Sequence, residues 1–200
     1  NSSFGIDAPG PDSWGIIRES GEAWLAHGPE KLMPSREMMI FGEHNMANAL
    51  AAIALGSAVG LPMPVMLRTL REFPGLPHRC RLVTRQRGIG WYDDSKGTNV
   101  GATLAALEGL GPVLAGKVIL IAGGQGKGQD FTPLAPALLR YGKVVILIGE
   151  DADKISMALA PETERRRASS MTEAVAMAAS LAEEGDAVLL SPACASFDMF

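Results

Sequence analysis

Apolar positions fall into two regimes along this chain. As far as about residue 77 they come as short runs, Trp14-Gly15-Ile16-Ile17, Glu22-Ala23-Trp24-Leu25-Ala26 and Met38-Met39-Ile40-Phe41, separated by Gly, Pro and Asp. Such runs predict short strands, too few to build a core alone, so they read as the tail of a sheet that continues upstream. Two helices follow. The first, over 44–59, is rich in alanine and ends at Gly60 and Pro62; the second, over 63–72, carries Val65, Met66, Leu67 and Leu70. Phe73-Pro74-Gly75-Leu76-Pro77 cannot continue a helix, and a domain boundary is expected there, with domains at 1–77 and 78–200.

Beyond that linker the pattern alternates. Runs at 81–84 and 89–92 predict a hairpin through Gly88. Continuous apolar strands at 117–122, 144–148 and 187–190 alternate with helices at 98–109, 132–141, 151–159 and 171–183. Strands apolar throughout, between helices, belong to a mainly parallel sheet covered on both faces. The expected fold class is therefore α/β, Rossmann-like, with flanking helices.

Composition narrows the function classes. At 47% apolar and 20% charged residues the chain is an ordinary globular one, and its net charge of −4 argues against a nucleic-acid partner. Arg165-Arg166-Arg167, a tight basic run flanked by acids, reads as a solvated face. Cys80 and Cys194 have no metal spacing and read as small structural thiols in a reducing, cytoplasmic compartment. No apolar stretch approaches the ~18 residues of a membrane span. With no initial methionine and an end just after a strand, the sequence reads as a fragment.

Candidate chemistry gathers where strands end. Trp91-Tyr92-Asp93-Asp94-Ser95-Lys96-Gly97-Thr98-Asn99 reads strand, charged loop, helix, with Thr98 as the expected N-cap. A carboxylate, an ammonium group and a helix N-terminus together suit an anionic ligand; a solvated turn is the alternative. Gly123-Gly124-Gln125-Gly126-Lys127-Gly128 follows the next strand but is neither a Walker A nor a G-x-G-x-x-G, because Gly128 follows the lysine and Gln129 stands at the last glycine position. It permits close backbone approach with Lys127 as a point charge, or it is a flexible turn. Ser191-Pro192-Ala193-Cys194-Ala195-Ser196 brings two hydroxyls to a third strand end. Arg79, at the linker, suits a phosphate or is a surface arginine, and no His or Cys pair has zinc spacing, so no metal site is expected here.

Taken together, Gly42-x-His44-Asn45-x-x-Asn48, Leu76-Pro77-His78-Arg79, Asp94-Ser95-Lys96-x-Thr98-Asn99, Gly123-Gly124-x-Gly126-Lys127-x-x-Asp130-Phe131 and Ser191-Pro192-Ala193-Cys194-Ala195-Ser196 closely resemble the Mur ligase family, and within it the D-glutamate-adding branch. The resemblance implies the end of a central ATP-binding domain followed by a C-terminal amino-acid-binding domain, cut short. It implies an ATP-dependent enzyme of peptidoglycan synthesis that joins D-glutamate to UDP-N-acetylmuramoyl-L-alanine through an acyl phosphate, with ATP and Mg2+ as cofactors. By the same motifs Asn48, Arg79 and Asp94 would contact ATP, Lys96 would stabilise developing phosphate charge, and Thr98, Lys127 and Ser196 would bind D-glutamate. The magnesium ligands, the family's P-loop and its carbamylated lysine would lie upstream, so this fragment alone is expected to be inactive. Gly97 replaces a usual alanine, which is expected to loosen its loop, and Gln125 replaces a frequent acid. The rival readings are another Mur or folylpolyglutamate-type amide ligase, which needs a different loop at 94–99, and a non-enzymatic α/β binding module.

Overall fold

The computed structural model describes residues 3–195. The chain divides into two compact units, Asn1–Gly75 and Leu76–Phe200. In the first, strands β1 (Trp14–Glu19), β2 (Glu22–His27) and β3 (Glu30–Pro34) form an antiparallel meander. Helices α1 (Glu43–Ala58) and α2 (Met63–Glu72) supply the rest of its core. Ile16, Leu25, Met33, Leu50 and Ile53 pack there, each no more than 1% exposed. The third strand is not the expected run at 38–41. It is Glu30–Pro34, which Gly28, at φ 52°, turns back on β2. Its first two residues are charged and exposed, which leaves Leu32, Met33 and Pro34 as an apolar run too short to signal a strand. Met38 instead plugs the core from an irregular segment.

The second unit is a six-stranded sheet in the order β4-β5-β9-β6-β7-β8. β4 (Arg81–Gln86) and β5 (Ile89–Asp93) form the expected hairpin; β6 (Val118–Gly123), β7 (Gly142–Ile148), β8 (Arg165–Arg167) and β9 (Ala187–Leu190) run parallel to β5. Helices α3 (Val100–Leu110), α4 (Leu134–Tyr141) and α5 (Ala152–Ala158) share one face cluster with Leu120, Val145 and Leu189; α6 (Met171–Leu181) packs with Ile119, Ile146 and Val188 on the other. Alternate residues of one strand thus serve opposite layers, as two-sided burial requires.

The arginine run forms a short edge strand in which Arg166 and Arg167 are solvated as expected and Arg165 is half-buried. Arg165 turns inward and donates to the carbonyls of Ser156, Ala160 and Thr163, while Arg166 and Arg167 pair with Glu164 and Asp153. A guanidinium fork that caps loop carbonyls leaves the backbone free to pair with β7, which is why three like charges tolerate an edge strand.

Candidate functional site

In a parallel sheet every strand ends on the same edge, so β5, β6, β7 and β9 all deliver their following loops to one rim. The loop after β5 carries Asp93 to Asn99, the loop after β6 carries the glycines and Lys127, and the loop after β9 carries Ser191 to Ala195. Backbone bonds lace the three together. Ala193 N–H donates to Gly97 O (2.8 Å), Gly123 N–H to Pro192 O (2.9 Å), and Gln125 and Ala195 exchange a pair at 2.8 and 3.0 Å.

The glycines are required by this lacing. Gly123 and Gly124 have φ of 133° and 126°, and a Cβ on Gly123 would lie 1.8 Å from Ile148 O. Asp151 fixes the loop's far side, accepting from Gly126 N–H and pairing with Lys154, and these contacts hold its carboxyl below the usual range. Lys127 itself adopts φ 50° and is exposed. A left-handed non-glycine residue is a conformation that the surroundings must impose.

Under the rim lies a buried polar cluster. Asp94, 7% exposed, accepts from Cys80 N–H (3.0 Å) and from the Ser191 hydroxyl (2.6 Å); Ser191 Oγ lies 2.8 Å from Thr103 Oγ1. Burial pushes the Asp94 carboxyl up, further raised by Asp93, against the lowering effect of the two hydrogen bonds and of Arg79. The same burial, with Asp94 alongside, pushes the Cys80 thiol up to about 12, which leaves it an inert structural thiol. Asp93 differs. Burial raises its carboxyl, but bonds from Ser95 and His78 outweigh that and bring it below its ordinary value.

Gly97 does not loosen its loop. Its N–H donates to Asp94 O, its carbonyl accepts from Ala193, and a Cβ would sit 2.4 Å from Asp94 Oδ2 and 2.5 Å from Ser191 Oγ. The helix cap also differs from the expected one. Asn99, not Thr98, caps α3 by accepting from Ala102 N–H (3.0 Å), because Asn99 is the last residue with extended backbone. That leaves Thr98 exposed, one residue outside the cap.

Of the residues singled out from the sequence, Lys96, Thr98 and Lys127 are exposed on this rim, and Asp94 lies beneath it. Arg79 is exposed two residues before Arg81 opens β4. Asn48 is exposed on α1 of the other unit, one turn after His44. Ser196 lies outside the described residues, directly after Ala195. Two participants escaped the sequence reading. Thr103 is a hydroxyl on the apolar stripe of α3 with Val100, Leu107 and Leu110, a pattern that could have flagged it. Gln129 left no local signal; its amide accepts from Val100 N–H and donates to Ala193 O.

Among the described residues no three of His, Cys, Asp and Glu cluster to hold a metal ion. No helix among them is long and apolar enough to cross a membrane.

Residues 78–194 match the family described as Mur ligase, glutamate ligase domain. The chain is 54% identical over 197 residues to the UDP-N-acetylmuramoylalanine–D-glutamate ligase of Hahella chejuensis, covering 98% of this chain and 44% of that protein. It is 53% identical to the Pseudomonas aeruginosa ligase of the same name, covering 99% and 44%. The chain thus spans less than half the length of these relatives. Among solved structures, the UDP-N-acetylmuramate-alanine ligase of Thermotoga maritima superposes with a TM-score of 0.71 at 20% identity, over 95% of this chain and 44% of that one. MurF from Acinetobacter baumannii gives 0.66 at 18% identity, over 94% and 43%.

Proposed function

The chain belongs to the Mur ligase family, and from that premise we propose that it supplies the D-glutamate-binding part of an ATP-dependent ligase of cell-wall synthesis. The substrates are ATP, D-glutamate and UDP-N-acetylmuramoyl-L-alanine, and such nucleotide-linked substrates belong in the cytoplasm. Residues 1–77 form the end of the ATP-binding domain and 78–200 most of the amino-acid-binding one. The observation that carries the reading is the lacing of three strand-end loops into one rim that presents Lys96, Thr98 and Lys127. Identity above 50% with D-glutamate ligases supports the choice of amino acid.

In this reading ATP transfers its γ-phosphoryl group to the substrate carboxylate and ADP departs. The D-glutamate amine attacks the acyl carbon, the tetrahedral intermediate expels phosphate, and the amine loses its proton. Lys96 lowers the cost of the charge that builds on the phosphoryl oxygens, since an ammonium group fixed beside developing charge acts more strongly in the transition state than before it. Lys127, Thr98 and Ser196 hold the two D-glutamate carboxylates by charge-assisted bonds. Arg79 and Asn48 contact ATP. Asp94 meets the ribose through the acceptor sites that Ser191 and Cys80 leave unused, a carboxylate having about four.

The test is phosphate release by the full-length protein with UDP-N-acetylmuramoyl-L-alanine and ATP, supplying D-glutamate, L-alanine or meso-diaminopimelate in turn. Turnover with D-glutamate alone is expected. Turnover with another amino acid would move the protein to a sister ligase, and the 200-residue chain alone should release none.

A further inference from the structure

Three loops carry the proposed D-glutamate groups, and each belongs to a different strand end. Their mutual spacing therefore depends on what ties one loop to the next. Backbone pairs tie the glycine loop to 191–195, and Ala193 to Gly97. The start of α3 has a further tie through a side chain. Gln129 sits just past the glycine loop, half-buried, and its Oε1 accepts from Val100 N–H at 3.1 Å. Its Nε2 donates to Ala193 O at 2.5 Å.

Both contacts meet groups with few other options. Val100 is the first residue of α3, and first-turn N–H groups have no partner inside their helix. Ala193 is fully buried, held at φ 56° and lies beyond the end of β9, so it stands outside the strand ladder. A primary amide accepts on one atom and donates from the other. A carboxylate accepts only, and a thioether does neither well.

We propose that Gln129 is a positioning residue for the amino-acid substrate. It sets the distance between the α3 N-terminus, where Thr98 stands, and the 191–195 loop that leads to Ser196. It touches no substrate itself. The inference rests on the D-glutamate reading above and concerns this amino acid rather than ATP, because Gln129 bonds beside Thr98 and within the 191–195 loop, whereas Asp94 and Lys96 stand earlier in their loop and Arg79 and Asn48 lie outside the three loops.

The experiment compares parent, Gln129→Met and Gln129→Glu in the full-length enzyme. Methionine fills nearly the same volume and removes both bonds; glutamate keeps the acceptor toward Val100 and loses the donor toward Ala193. One to two ordinary hydrogen bonds correspond to about a three- to tenfold rise in KM for D-glutamate. KM for ATP is expected to stay within about twofold, and amide exchange at Val100 to quicken in Gln129→Met but not in Gln129→Glu. An unchanged D-glutamate KM, or an equal rise for ATP, overturns the inference even if exchange quickens. A parent with no D-glutamate turnover fails the functional reading instead, and unchanged Val100 exchange in Gln129→Met then overturns the tie itself.

Discussion

Asp186 and Asp94 are buried at opposite ends of the parallel sheet, and the two carboxylates are treated in opposite ways; Asp151, also buried at the carboxyl end, is paired with Lys154. Asp186, at the amino end of β9, is 5% exposed and accepts from Lys117 N–H, Glu183 N–H and the Lys143 ammonium group. Burial pushes its carboxyl up, but those three donors outweigh it and the net shift is downward. Asp94, at the carboxyl end of β5, is 7% exposed and receives one N–H and one hydroxyl but no ammonium group; there burial wins and the net shift is upward. One end is electrostatically closed. The other keeps a carboxylate short of positive charge beneath a rim of lysines and left-handed backbone, an arrangement that costs stability and suits binding.

The largest effect is expected at the closed end. Asp186→Asn leaves the Lys143 ammonium group and a backbone N–H facing an amide donor, and should cost about 2–4 kcal/mol, read from this unit's transition in urea. Because the folded carboxyl is depressed, its contribution is present above the unfolded value and is lost as pH falls through the folded one. The gap between parent and Asp186→Asn should therefore narrow on acidification. A gap independent of pH would show that the charge pairing is not what Asp186 contributes.

Next in size is Gly97→Ala. Its Cβ would press on Asp94 Oδ2 and Ser191 Oγ, and overpacking of this kind costs about 1–3 kcal/mol. A neutral or stabilising result in the same urea experiment would mean that the cluster under the rim gives way easily.

The smallest effect is expected at Asp94. Asparagine keeps an acceptor for Cys80 N–H and can donate to the Ser191 hydroxyl, so Asp94→Asn should change stability by under about 1 kcal/mol. Its pH trend should run opposite to that of Asp186. A folded carboxyl raised above its unfolded value favours folding below that unfolded value and loses this as pH rises through the folded one. The parent should gain on Asp94→Asn as pH falls, and parallel trends at the two aspartates would dissolve the contrast between the ends.

Much of this was legible in the sequence, and the limits are physical. β6 and β7 announce themselves by the unbroken apolar runs at 118–122 and 144–148, and the strand-end rule alone brings Lys96, Thr98 and Lys127 to one edge. Local pattern says nothing of partners distant in sequence. Ser191 and Asp94 bond across 97 residues, Gln129 and Ala193 across 64. The crowding at Gly97 has the same origin, since its neighbours come from two loops. Arg165–Arg167 reads as charge until its carbonyl partners are in place.

The most direct test of the rim as an amino-acid site is steady-state kinetics of Lys127→Ala and Arg79→Ala in the full-length enzyme, varying D-glutamate and ATP in turn. Losing a charge-assisted contact to a carboxylate corresponds to about 1.5–3 kcal/mol, or about ten- to a hundredfold in affinity. Lys127→Ala should raise KM for D-glutamate by about that factor and leave KM for ATP nearly unchanged, while Arg79→Ala should show the reverse bias. A Lys127→Ala enzyme altered only in its ATP dependence would contradict the account.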